Sequence, residues 1–163
     1  MAKLAAGQMT RLECEKLGIK HIWVRALSVY GPYDGEETLI MSVIREALEG
    51  KDPECTKAEQ IWDYLYSEDA GEAFFLLGYK GKPGQTYVLG NGSARPLRDY
   101  IEEICDACAE SESAAGRVNP VYGARPYSVK QVMRLEADIT QLTDDTGYKP
   151  VTDFDKGIRE TIH

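Results

Sequence analysis

One segment constrains this chain more than any other. Residues 21–27, HIWVRAL, form a near-continuous apolar run that follows a glycine. A run without polar alternation fits a strand covered on both faces, as in a parallel sheet. Upstream, residues 2–17 read as a helix: Ala5, Met9 and Leu12 fall at i, i+4 and i+7, and Gly18 stops it. Helix, tight turn and buried strand make the second half of a β-α-β crossover unit. The fold class expected is therefore α/β.

The rest of the chain alternates in the same manner. Residues 28–38 are rich in Gly, Pro and Tyr and read as a loop. Ile40, Val43, Ile44, Ala47 and Leu48 line one face of a helix ending at Gly50. Residues 51–60 are polar and irregular, and IWDYLY (61–66) reads as one short aromatic strand. Within it Tyr64 and Tyr66 share a face. Ser67 is placed to cap a helix running to about Leu77, with Asp69 near its start offsetting the dipole. TYVLG is another strand and NGS a turn. Pro96 starts a helix whose Leu97, Ile101, Ile104, Cys105 and Cys108 make one apolar stripe. The flanking Arg95 and Arg98 read as solvated. Residues 110–120 read as loop and 125–136 as partly extended. Asp138 caps a short helix ending at Gly147, and Phe154, Ile158 and Ile162 define the last one. Helices are expected to outnumber strands.

Composition narrows the partners. A length of 163 residues, 43% hydrophobic, suits one domain, or one and a small lobe. A net charge of −8 argues against nucleic acid, which needs a basic face, but leaves room for a nucleotide. No apolar run is long enough to span a membrane, and the N-terminal residues lack the pattern of a signal peptide. Of the four cysteines, Cys105 and Cys108 form a C-x-x-C. With no second pair and no nearby histidine, they read as reduced core thiols of a cytoplasmic protein rather than metal ligands.

Five segments, in order, carry a resemblance. The chain opens M-A-K-L-A-A-G, and Arg25–Pro32 reads R-A-L-S-V-Y-G-P. W-D-Y-L-Y-S-E-D-A spans 62–70, and Y-V-L-G-N-G spans 87–92. The tail holds Arg125-Pro126, Asp138-Ile-Thr140, T-G-Y-K-P (146–150) and G-I-R-E-T-I (157–162). Together they resemble the NAD(P)-dependent nucleotide-sugar epimerases and dehydratases, the extended short-chain dehydrogenase/reductase family. Any one piece is weak; five in register cover essentially the whole chain.

The resemblance implies a Rossmann-type fold, of which this would be the C-terminal part. Residues 1–36 would be the last helix–strand unit of the dinucleotide-binding domain, and 37–163 the nucleotide-sugar lobe. Lys3 aligns with the lysine of the family's Y-x-x-x-K, whose tyrosine would lie two positions before Met1. That tyrosine is the general base; an ammonium within ~4–6 Å of a phenol favours the phenolate. The intact enzyme would use NAD or NADP. The glycine-rich pyrophosphate cradle is absent from these residues, so this chain alone is expected to bind no cofactor and to be inactive.

Site residues follow from the same resemblance. Ala26, Leu27 and Ser28 fall where relatives touch the nicotinamide, Ser28 replacing a common Asn. Arg125 matches an arginine that clasps the nucleotide diphosphate, which suits a guanidinium fork. Trp62 stands in place of a second phosphate-binding arginine, and Ser128 in place of a ribose-binding aspartate. An indole cannot neutralise phosphate, though it can stack on a base or sugar. Tyr64 is placed to line the ligand cleft. The competing reading is a non-catalytic binding or assembly module. In either case the strand at 22–24 would expose backbone and apolar faces, so self-association through it and the first helix is expected.

Overall fold

The computed structural model describes residues 2–113 and 115–162. Helix α1 (Ala2–Leu17) turns at Gly18, whose φ of +67° favours glycine, into strand β1 (Trp23–Ala26). β1 pairs in parallel with β6 (Thr86–Leu89), Trp23 opposite Thr86 and Ala26 opposite Leu89. The helix–turn–strand half of a crossover unit, as read from the sequence, is present.

The apolar run then changes neighbours. Leu27 N–H still donates to Leu89 O, but β2 (Ser28–Tyr30) pairs in parallel with β5 (Tyr64–Tyr66). The expected loop therefore starts at Gly31. The β-branched and aromatic Val29 and Tyr30 extend the strand before glycine and proline end it. IWDYLY is likewise two strands. β4 (Ile61–Trp62) runs antiparallel to β7 (Arg95–Pro96), and Asp63 separates it from β5.

Asp63 is the reason for the break. It is fully buried, and its carboxylate accepts N–H groups from Asn91 (2.7 Å), Gly92 (2.9 Å) and Ala137 (3.1 Å). A buried carboxylate needs such partners. One side chain thus ties the turn after β6 and the segment at Ala137 to the β4–β5 joint.

Two apolar clusters result. The larger lies among α2 (Leu39–Leu48), α4 (Leu97–Ala109) and α6 (Phe154–Ile162), against Tyr30 and Tyr66. The smaller packs α3 (Ser67–Lys80) and α5 (Thr140–Thr146) on β6, through Leu77, Leu89 and Leu142. A further parallel pair joins β3 (Glu54–Cys55), inside a segment expected to be irregular, to β8 (Val121–Tyr122), just past the expected loop.

The described residues thus form eight short strands and six helices, against the expectation that helices would be more numerous. Two- and three-residue strands leave too short a pattern to read. Capping differs in detail. Ser67 is the first residue of α3 rather than its cap, α4 starts at Leu97 after Pro96, and α5 starts at Thr140. Asp138 still accepts the Thr140 N–H at 3.0 Å, and Gly147 closes α5 at φ +78°. Asp69 anchors residues 151 and 152, whose N–H groups reach its carboxylate at 3.2 and 2.9 Å.

β1 is only half-covered here, not buried on both faces. α1 lies over it, close enough that a Cβ on Gly7 would come within 2.8 Å of the Trp23 ring. Yet α1 buries none of its own residues: Leu4, Met9, Leu12 and Leu17 are all exposed.

Candidate functional site

Three of the sequence-predicted site residues meet in one cavity. Trp62 from β4, Tyr64 from β5 and Arg125 after β8 line a cavity of about 350 Å³, with Glu37, Thr38 and Ser42 around α2 and with Gln131. Each is held by a distinct local device. Arg125 is set by the β3–β8 ladder: Gly123, at φ +83°, lets the chain turn so that Arg125 N–H donates to Cys55 O at 3.1 Å. Trp62 is fixed at both ends, its carbonyl accepting the Tyr100 hydroxyl at 3.0 Å and its indole N–H donating to Ser28 Oγ at 2.8 Å. Tyr64 is wedged edge-on between Tyr30 and Tyr100, with ring centroids 6.1 and 5.1 Å away. Burial, then the neighbouring Tyr100, pushes its phenol well above the ordinary tyrosine range, so it is a neutral hydroxyl at physiological pH.

The Trp62–Ser28 hydrogen bond links two positions that the resemblance assigned to different ligands, the diphosphate and the nicotinamide. It also fixes the plane of the indole. Ala26 is exposed and Leu27 and Ser28 half-buried at the end of β1 and start of β2. Lys3 stands exposed in the first turn of α1. Ser128 lies outside the cavity, exposed, with its hydroxyl 3.4 Å from Gln131 Oε1. Gln131, not Ser128, is the residue of that segment that reaches the cavity.

The cavity's charge was not visible in the motifs. Among the described residues Arg125 is its one cation, and three carboxylates, Glu37, Glu46 and Glu54, line it too. Arg125 lies 3.8 Å from Glu46 and 3.9 Å from Glu54, too far for direct hydrogen bonds. Glu46 sits at the polar edge of the α2 apolar stripe, and Glu54 on β3, where no motif marks either. Arg95 is only partly solvated: it forms a two-pronged pair with Glu103 and lies 4.1 Å over the Tyr100 ring. Arg98 is exposed, over the Tyr122 ring at 4.0 Å. Arg95 borders a second cavity of about 370 Å³, which shares Tyr64 with the first and is closed by Phe154 and Asp153.

The four cysteines are free thiols. Cys105 and Cys108 face the core of α4, and desolvation pushes them up to about 12 and about 11. Such thiols stay protonated and unreactive at neutral pH.

The chain belongs to the NAD dependent epimerase/dehydratase family, whose pattern matches residues 1–90. It is 33% identical to the dTDP-glucose 4,6-dehydratase of Salmonella typhimurium over 99% of its own length and 45% of the relative's. The same holds for dTDP-glucose 4,6-dehydratase 1 of Escherichia coli K12, also at 33%. The chain therefore spans a little under half the length of these curated relatives. Its fold matches UDP-glucose 4-epimerase of Thermotoga maritima, solved with UDP-glucose, at a TM-score of 0.84 and 21% identity, covering 99% of this chain and 50% of that one. A dTDP-glucose 4,6-dehydratase of Streptomyces venezuelae, solved with NAD, gives 0.79 and 20%, covering 98% and 48%.

Proposed function

We propose that this chain is the substrate-holding portion of an NAD(P)-dependent epimerase, dehydratase or reductase acting on a nucleotide-activated sugar. The observation that carries it is the convergence of Trp62, Tyr64 and Arg125, from three separate segments, on one cavity. It occurs in a chain a third identical to dTDP-glucose 4,6-dehydratases along its whole length. When bound, the nicotinamide exchanges a hydride with a sugar carbon. The residues here bind and orient. Tyr64, as a neutral phenol, offers a hydroxyl to the ligand. Trp62, immobilised by Ser28, offers a flat apolar face to a ring.

Lys3, Ala26, Leu27 and Ser28 would hold the nicotinamide end in the intact enzyme. The fit is partial. Ser28 Oγ already accepts the indole N–H and keeps its own hydroxyl proton to donate. In this reading residues 1–36 complete the dinucleotide-binding domain and 37–163 form the sugar-nucleotide lobe. Alone, the chain is expected to be inactive and to bind no NAD(P), since it has no glycine-rich cradle. Its four free thiols suit a reducing cytoplasmic setting. Among the described residues no helix is long and apolar enough to cross a membrane.

The test is a calorimetric titration of UDP-, dTDP-, CDP- and GDP-glucose. Saturable binding of at least one, weakened by Trp62→Ala, is the expected result; binding of none refutes the reading.

A further inference from the structure

We propose that the cleft between α1 and the β1–β6 pair is a phosphate site, separate from the nucleotide-sugar cavity and independent of that reading. It takes a tetrahedral oxyanion, either free or as the phosphoryl group of a monoester, and the bound anion fastens α1 to the sheet.

The local charge is the first reason. The chain carries 27 acidic residues against 19 basic ones. Yet this cavity of about 190 Å³ is lined by Arg11, Arg25 and His21 and, among the described residues, by no carboxylate. Arg95, Arg117, Arg125, Arg134 and Arg159 each have a carboxylate close by. Among the described residues Arg25 has none. Arg11 Nε donates to Glu15 Oε1 at 3.0 Å, one turn along α1. An exposed pair of that kind is weak and leaves the remaining guanidinium donors to another acceptor. Two guanidiniums facing one cleft repel each other; an anion between them turns that repulsion into attraction. Their donor forks match phosphate oxygens. A nucleic acid is disfavoured there, because the net charge of −8 repels an extended polyanion.

The second reason is where the groups come from. Gln8 and Arg11 belong to α1, His21 and Arg25 to β1 and the residues before it, and Gln85 to the entry of β6. Gln85 Oε1 accepts the Gln141 amide at 3.2 Å, so the amide N–H groups of Gln85 are what it offers to the cleft. The sheet side is rigid: Gly84 N–H donates to His21 O at 2.7 Å and Trp23 N–H to Gln85 O at 3.1 Å. The His21 ring stacks on Trp23 and meets Thr10 Oγ1 of α1 at 3.2 Å. The other wall, α1, buries none of its own residues. An anion shared by Arg11 and Arg25 therefore joins a fixed wall to a loosely held one.

The test is calorimetric titration of the chain with inorganic phosphate, then with methyl phosphate, at an ionic strength held constant with sodium chloride. The expected result is one saturable site, weakened about tenfold or more by Arg25→Gln and by Arg11→Gln. Both side chains are exposed, so the variants keep the fold; their unfolding midpoints in phosphate-free buffer check this. Bound phosphate should also slow amide hydrogen exchange along residues 2–17. Methyl phosphate binding as tightly as phosphate assigns the site to a monoester, and weaker binding assigns it to the free anion. Absence of saturable binding, binding indifferent to both variants, or unchanged exchange in α1 overturns the proposal. Loss of phosphate binding with Arg125→Gln instead places the anion in the nucleotide-sugar cavity and overturns it too. None of these outcomes decides whether a nucleotide sugar binds, so the proposed function stands or falls separately.

Discussion

Helices α1 and α4 both carry apolar residues at helical spacing, a full stripe in α4 and a sparse one in α1, and meet opposite fates. α4 buries Leu97, Tyr100, Ile101, Ile104, Cys105, Ala107 and Cys108 between α2 and α6. α1 buries none of its residues, though Ala5, Met9 and Leu12 recur on the helical period. Periodicity announces a face; only a partner makes it a core. α4 has its partners in the same chain, because α2 and α6 present matching stripes. α1 comes close to β1 at Gly7, where an added Cβ would meet the Trp23 ring.

The largest way to break the contrast is at the centre of α4. Ile104→Ala removes a fully buried side chain and should cost about 4 kcal/mol, within the range for large-to-small core changes. Urea unfolding followed by circular dichroism measures it. A loss below about 1 kcal/mol would contradict the place of α4 in the core.

Between the two regions stands Asp63. Asp63→Asn replaces a carboxylate that accepts three backbone N–H groups with an amide that has one acceptor oxygen and two competing donors. We expect a loss of about 3 kcal/mol, since bonds to charged groups are strong and orphaned buried donors are costly. Asp63 also sets Trp62 and Tyr64 on either side of itself, so binding of the nucleotide sugar should weaken along with stability. Retained binding at reduced stability would confine its role to the fold.

What could be read in the sequence divides along the same line. Long amphipathic segments were legible: the stripes of α2, α4 and α6 lie where the spacing puts them, because each is long enough to show a period. Pairing partners were not. Residues 28–30 became a strand because β5, from 36 positions further on, offers an open edge. Nothing local marks Glu46, Glu54 or Gln60 as sharing a cavity with Arg125. The β3–β8 pairing and the Gly123 turn bring them together, and those are two-residue contacts. Arg95, between Ala94 and Pro96, reads as solvated because its partner Glu103 lies eight positions on and Tyr100 supplies the ring beneath it.

A smaller effect separates the cysteines of the two helices. Cys105 and Cys108 on α4 are buried and held protonated by desolvation; Cys14 on α1 is half-buried. At pH 8, Ellman's reagent should label one thiol promptly, Cys14, and reach the others only in denaturant. The linkage has a definite sign. The folded-state pKa of each α4 thiol is raised above the unfolded value of about 8.5. Stability is therefore complete below that value and falls as pH rises towards about 11, the level to which Cys108 is pushed. Cys105→Ala/Cys108→Ala should flatten that alkaline decline. An unchanged slope would assign it to other groups, and prompt labelling of more than one thiol would contradict the burial of α4.

The smallest effect on stability is expected on α1 itself. Leu12→Ala deletes a side chain that is 58% exposed, so little apolar area returns to water. The change should lie within about 0.5 kcal/mol of zero, as for surface substitutions generally. The same substitution should act strongly elsewhere. If α1 and the edge of β1 mediate the proposed self-association, Leu12→Ala and Met9→Ala together remove apolar contact area at a helix–helix interface. Sedimentation velocity across a concentration series should then show the double variant shifted towards monomer, with its unfolding midpoint at low concentration unchanged. A parent chain that is monomeric throughout would leave α1 exposed in solution as it is here. A destabilised variant would show that α1 contributes to the monomer core through contacts of its own. A periodic apolar face that costs nothing to truncate and yet holds two molecules together would make α1 the counterpart of α4, with its core shared between chains.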